Sequence, residues 1–161
     1  MTAPAKLPSL FGRFTAILQD HEHLGTTLKE LRAMCISLEA QQFQLPTLAP
    51  LDLLEDLRSD LSGHFAAEEA DSYFGIIVQE APLLATRIGQ LKSEHALMLS
   101  ALGGLCRLAA EAAALADGAD PADTAALAAA LCEASWRLIA ELERHERAES
   151  LLLRELFSAQ V

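Results

Sequence analysis

The chain has 161 residues, of which 52% are apolar, so we expect one domain with a substantial core over residues 1–161. Twelve basic and 23 acidic residues give a formal net charge of −11. This charge argues against binding to nucleic acid, which needs a basic surface, and against docking on anionic membranes, which recruit Lys and Arg clusters. Ala and Leu make up more than a third of the residues and β-branched residues are scarce, which predicts an all-α fold.

Four periodic apolar segments follow one another along the chain. Within each segment, apolar residues recur at intervals of three, four or seven positions, as on the buried face of an amphipathic helix. Connections containing Pro, Gly and Asp separate the segments. The predicted helices span approximately residues 9–41, 48–79, 82–116 and 122–157. Long helices with short connections predict an antiparallel up-down-up-down four-helix bundle.

Four of the five histidines are in phase with these apolar stripes, one on each predicted helix. His95, for example, follows Ile88 by seven positions and Leu91 by four, whereas His23 falls on a polar face. Residue counts from each connection, at a rise of about 1.5 Å per residue, bring the four inward histidines to one layer of an antiparallel bundle. These four are His21, His64, His95 and His145.

Two glutamates accompany these histidines. Glu68 and Glu149 each lie four positions after a histidine, one helical turn along the same face. A buried carboxylate without a cationic partner is costly, and no Lys or Arg lies near this level of the stripes, so the pattern predicts bound metal. Six nitrogen and oxygen ligands without sulfur suit iron or manganese, with zinc as a substitute, and two bridging carboxylates allow a pair of ions.

Three further side chains lie near these positions. Glu141 precedes His145 by one turn and is either an outer partner of the site or a carboxylate at its rim. Asp71 either faces the bundle near its end or lies in solvent. Tyr73, nine positions after His64 on a continuous helix, is expected on the opposite face, with no acid or radical role.

The cysteines and the N-terminal residues bear on the compartment. Cys35, Cys106 and Cys132 are far apart and fall in helical apolar patterns, so we expect buried free thiols in a reducing compartment. The first ten residues contain no apolar segment typical of a secretory signal. No uninterrupted apolar run approaches the length of a membrane span. These features predict a cytoplasmic protein with no membrane partner.

At the histidine positions the chain resembles the hemerythrin-like family of HHE cation-binding domains, over approximately residues 11–157. Each motif is short, but the four occur in order on four helices. The matching motifs are Asp20-His21-x-x-Leu24-x-x-x-Leu28, His64-Phe65-Ala66-Ala67-Glu68-Glu69, Glu94-His95-Ala96-Leu97-Met98 and His145-Glu146-Arg147-Ala148-Glu149.

The resemblance implies two iron ions inside the bundle. His21 and His64 would bind one ion, His95 and His145 the other, and Glu68 and Glu149 would bridge them, with Glu69 as the less favoured substitute for Glu68. The chain departs from the oxygen-carrying members of the family in two ways. Leu99 stands where they have a second histidine on the third helix, and Glu149 stands where they typically have a differently spaced Asp. One iron would therefore have one nitrogen ligand fewer, which argues against reversible oxygen carriage.

The expected function is that of a non-haem di-iron protein that binds oxygen, nitric oxide or peroxide, as a sensor, carrier or iron-handling protein. Two alternatives remain open at this point. One is a di-iron peroxidase or nitric-oxide-processing enzyme, and the other is a structural bundle with a vestigial metal site. The sequence does not identify a protein partner or an oligomeric state.

Overall fold

The computed structural model describes the backbone of residues 7–42, 49–70, 73–115 and 120–158, and their side chains except those of residues 7–23, 49, 157 and 158. Every regular element in these ranges is helical, which confirms the predicted all-α fold. The elements are α1 (Leu7–Ala40), α2 (Ala49–Glu69), α3 (Phe74–Glu80), a 3₁₀ turn (Pro82–Leu84), α4 (Ala85–Leu115) and α5 (Pro121–Ser158).

The four long helices form a bundle in which each packs against two others. α1 contacts α2 and α5, and α4 contacts the same two helices. Contacts between α4 and α5 join Arg87 to Glu155 and His95 to His145, so residue numbers rise along one helix and fall along the other. This is the order of contacts that antiparallel packing produces. The up-down-up-down topology of the whole bundle stays a prediction.

The second predicted helix is interrupted, and its prediction as one helix over residues 48–79 is wrong. α2 ends at Glu69, and the short helix α3 begins at Phe74 after a turn in which the Tyr73 amide donates to the Ala70 carbonyl. Asp71 and Ser72, which lie outside the described residues, are of types whose side chains compete for backbone hydrogen bonds and so favour turns over helix interiors. The chain therefore turns just after the predicted ligands of the second helix.

The ends of the other helices agree with the predicted bounds to within about three residues. At the start of α5 the carboxylate of Asp120 accepts a hydrogen bond from the Ala122 amide, and Pro121 occupies the first helical position. This capping arrangement satisfies an amide that the helix itself leaves without an acceptor. The Asp120-Pro121 pair therefore determines where α5 begins.

Two apolar clusters occupy the interior of the bundle, and a polar layer separates them. The larger cluster includes Leu61, Met98 and Leu142, and the smaller includes Leu91 and Leu152. On α4 the buried His95 lies between Leu91 and Met98, and on α5 two buried polar residues lie between Leu142 and Leu152. The fold thus places a buried polar layer where apolar packing is interrupted on neighbouring helices.

Within the described side chains, all three cysteines are buried free thiols, as expected. Cys35 on α1 and Cys132 on α5 face each other, and each sulfur lies within 4.0 Å of the other residue's carbonyl oxygen. Burial, reinforced by the neighbouring Cys35 and Glu39, raises the pKa of the Cys132 thiol to about 12. A protonated, buried thiol of this kind is a packing residue with little nucleophilic character.

One helical span, Pro82–Leu115, is long and apolar enough to cross a membrane by length and composition, with a hydropathy of 1.4 in its most apolar window. The core helix of a bundle can pass the same test; here a third of the window is buried (33%), and α4 supplies buried residues to both apolar clusters. The expected absence of a membrane partner stays a prediction.

Candidate metal centre

α2 contributes a histidine and a glutamate to the polar layer. His64 and Glu68 lie one helical turn apart, and both side chains are buried, that of Glu68 completely. The His64 Nε2 atom is 3.1 Å from the Glu68 Oε1 atom. The spacing of four positions therefore brings these two groups onto one face, as predicted from the sequence.

α4 and α5 contribute two histidines and a second glutamate. The Nε2 atoms of His95 and His145 are 3.0 Å apart, and the Nε2 atom of His145 is 3.3 Å from the Glu149 Oε1 atom. All three side chains are buried. Across the bundle, the His95 Nε2 atom is 3.3 Å from the Glu68 Oε2 atom, so the groups from α2, α4 and α5 meet.

Four of the predicted ligands thus form one compact group. Each of Glu68, His95, His145 and Glu149 offers a ligand atom, and these four atoms all lie within 4.8 Å of one another. His64 adjoins the group through Glu68, whose two oxygens face different histidines. The side chain of the sixth predicted ligand, His21 on α1, lies outside the described residues.

The outward ring nitrogens of His95 and His145, the two central histidines, contact further carboxylates. The Nδ1 atom of His95 is 2.8 Å from Glu69 Oε1, and the Nδ1 atom of His145 is 2.9 Å from Glu94 Oε2. Glu69 therefore contacts His95 from outside and does not replace Glu68 in the buried group. Glu94 is the outer partner of His145. Glu141, for which the sequence allows either that role or a place at the rim, lines a surface groove between α4 and α5.

Aromatic rings lie against the central histidines. The ring of Phe65 stacks on the ring of His95, with centroids 3.9 Å apart and an interplanar angle of 4°, and its edge faces His145. The ring centroid of Phe74, the first residue of α3, lies 5.9 Å from that of His95. These apolar rings keep water from the imidazoles, so charges inside the layer interact more strongly than they would in water.

Tyr73 lies near the two buried carboxylates, and the expectation that it faces away from the site is wrong. Its side chain is only 3% exposed. Burial, and then the charges of Glu149 and Glu68, raise the pKa of the Tyr73 phenol well above its usual range. The prediction assumed a continuous helix, and the turn after Glu69 directs the tyrosine differently. Asp71 lies outside the described residues.

A comparison with protein families identifies the domain. A model of the hemerythrin HHE cation-binding domain matches residues 12–137. The chain belongs to the hemerythrin HHE cation-binding domain family. No curated protein and no solved structure matches the chain significantly. The matched range includes His21, His64, Glu68 and His95, and it ends before His145 and Glu149, whose assignment to the site therefore depends on the geometry described above.

The donor set fits the cation that an HHE domain implies. Each outer Nδ1 atom faces a carboxylate, and a neutral ring that donates a hydrogen bond there has its lone pair on Nε2, where the two Nε2 atoms lie only 3.0 Å apart. Such an approach calls for a proton or a metal cation between the rings. Imidazole nitrogens and carboxylate oxygens are ligands that suit iron, manganese and zinc.

The pKa of His145 is consistent with a site built for positive charge. Burial alone lowers the pKa of the imidazole, but hydrogen bonds to Glu149 and Glu94, together with the charges of Glu149 and Glu68, outweigh burial. The net pKa of His145 is therefore raised from its ordinary value of 6.5. The buried group favours a cation at this point, and a metal ion would displace the proton.

Proposed function

We propose that the protein is a non-haem di-iron protein that binds oxygen or a related small ligand, such as nitric oxide or peroxide. The site would be a carboxylate-bridged two-metal centre formed by His21, His64, Glu68, His95, His145 and Glu149. A pair of iron ions supplies redox-active positions for such ligands, and manganese or zinc would be a substitute. The proposed role is that of a cytoplasmic sensor, carrier or iron-handling protein.

The arrangement of Glu68 carries the two-metal part of this proposal. One of its oxygens is 3.1 Å from His64, and the other is 3.3 Å from His95. A carboxylate whose two oxygens face histidines on different helices is suited to bridge two cations, one beside each imidazole. A single-ion site would need only one of these oxygens.

The surroundings support small ligands over large substrates. The four central ligand atoms come from buried side chains, and the rings of Phe65 and Phe74 cover His95. Two of the surface cavities among the described residues, one between α4 and α5 and one between α1 and α2, are lined by residues other than the predicted ligands. A diatomic molecule or peroxide is of a size that suits such an enclosed layer.

Metal analysis with an absorption spectrum tests the proposal. Protein produced with ample iron should contain about two iron ions per chain and show near-ultraviolet absorption that the metal-free protein lacks. His95→Ala should lose both signals, whereas His23→Ala, which changes the histidine of the polar face, should keep them. A folded wild-type protein that takes up neither iron, manganese nor zinc would overturn the proposal.

Turnover assays on the same iron-loaded protein separate binding from catalysis. A sensor, carrier or iron-handling protein should bind oxygen, nitric oxide or peroxide without sustained consumption. Steady turnover of peroxide or nitric oxide that His95→Ala abolishes would instead assign the site to an enzyme.

A further inference from the structure

In both central histidines, His95 and His145, the outer carboxylate contacts the same ring nitrogen, Nδ1. A carboxylate without its proton only accepts hydrogen bonds, so Glu69, 2.8 Å from Nδ1 of His95, and Glu94, 2.9 Å from Nδ1 of His145, favour a proton on that nitrogen. These contacts are shorter than the 3.3 Å that separates each Nε2 atom from Glu68 or Glu149. A neutral imidazole with its proton on Nδ1 has its lone pair on Nε2. In both rings that atom points to the buried group.

Each of the two carboxylates contacts a histidine on a different helix from its own. Glu69 on α2 contacts the histidine of α4, and Glu94 on α4 contacts the histidine of α5. Each is adjacent in sequence to an inward group, Glu69 to Glu68 and Glu94 to His95. Because neighbouring helical positions are about 100° apart, one residue points into the layer while the next reaches the adjacent helix.

We propose that Glu69 and Glu94 are positioning residues of the metal centre. Each carboxylate fixes the ring orientation and the tautomer of a histidine on the next helix before the metal arrives, so that Nε2 is ready to bind it. This inference depends on the proposed metal-binding function. In metalloproteins, carboxylates that accept from the outer nitrogen of a ligating histidine have this role, and their loss weakens metal binding about 10–100-fold.

A purely structural contact would have different consequences. The side chains of Glu69 and Glu94 are 44% and 32% exposed, and contacts at such positions contribute little to stability. If Glu69 and Glu94 served only to join the helices, replacing either carboxylate would change the free energy of unfolding slightly. The histidine tautomers and the metal affinity would stay as in the wild type.

The first experiment reads the tautomers directly in the metal-free protein. Long-range proton–nitrogen NMR spectra at a pH where the histidines are neutral should show a larger Nδ1-protonated fraction of His95 and of His145 in the wild type than in the carboxylate variants. Glu69→Gln should shift His95 toward the Nε2-protonated form, and Glu94→Gln should do the same for His145. Glu55→Gln on α2 and Glu111→Gln on α4, which change exposed carboxylates, serve as matched controls.

The second experiment measures Fe²⁺ affinity under anaerobic conditions by competition with a chromogenic chelator. Glu69→Gln and Glu94→Gln should each weaken Fe²⁺ binding about 10–100-fold at unchanged stoichiometry, and the control variants should match the wild type. Variants that equal the controls in both tautomer and affinity would overturn the positioning role. Wild-type protein that binds no Fe²⁺, manganese or zinc would overturn the proposed function, while the NMR result would still decide whether the carboxylates set the tautomers.

Discussion

Replacement of Glu68 by Gln should change stability in opposite directions in the metal-free and the metal-loaded protein. Glu68 is completely buried, and the ligand atoms of Glu68 and Glu149 lie within 4.8 Å of each other. Two unit negative charges at that separation repel by about 3.5 kcal/mol at an effective dielectric constant of about 20. Without metal, the amide removes this repulsion while keeping the size of the side chain.

The expected magnitude in the metal-free protein is smaller than the full repulsion, because the nearby histidines take up part of the negative charge. We expect Glu68→Gln to raise the free energy of unfolding at pH 8 by about 1–3 kcal/mol, which is part of the repulsion between the two carboxylates. For a chain of this length each kcal/mol corresponds to about 2–4 °C in Tm. In iron-loaded protein the same substitution should lower Tm, because a proposed metal ligand is lost and the stabilisation by bound metal weakens.

Thermal and urea unfolding of chelator-treated and iron-loaded protein would measure both effects. Glu55→Gln, an exposed change on the same helix, should leave Tm unchanged in both forms. A Glu68→Gln variant that destabilises the metal-free protein as much as the loaded protein would refute the reasoning. It would mean that the buried carboxylate stabilises the fold by itself.

Three further outcomes follow from the structure. Phe65→Ala should lower the free energy of unfolding by about 3–5 kcal/mol in chemical denaturation, because it leaves a cavity beside the stacked imidazole, whereas the exposed Leu97→Ala should have little effect. The raised pKa of His145 means that its contribution to the stability of the metal-free protein is fully present below pH 6.5 and is lost as pH rises through the folded pKa, with a slope of at most about 1.4 kcal/mol per pH unit that His145→Gln should abolish in urea titrations. Asp120→Ala should lower Tm by about 2–4 °C, because α5 loses its N-terminal cap, and should leave the metal stoichiometry unchanged. A loss of bound metal would contradict the purely local role of Asp120.

The inward residues of the site were predictable because helical periodicity determines which face each residue occupies. The shared phase of His95 with Ile88 and Leu91 was enough to predict its burial, and the structure agrees. The same periodicity predicted that Glu68 and Glu149 face the layer. Helix ends at Pro121 and near Leu115 followed from residues that cannot continue a helix.

Periodicity could not predict contacts that depend on the neighbouring helix. Glu69 and Glu94 fall outside the apolar stripes, and only the packing of α2, α4 and α5 brings them to the outer histidine nitrogens. The sequence pattern places Tyr73 on the wrong side because helical phase is lost wherever a helix breaks. The adjacent Asp71 and Ser72 are the sequence signal for that break, because side chains of these types compete for backbone hydrogen bonds and favour turns.

The charges around the central histidines explain why an acidic bundle keeps so many carboxylates in one place. Glu68 and Glu149 contact the inner nitrogens, and Glu69 and Glu94 contact the outer ones, so these four residues carry a formal charge of −4. Glu68 and Glu149 are buried, whereas Glu69 and Glu94 are 44% and 32% exposed, so water compensates part of the outer charge. The two buried carboxylates bring a formal charge of −2 into a layer that aromatic rings cover, where charge is costly unless a cation balances it. Charge balance therefore supports cation binding in this layer independently of the family resemblance.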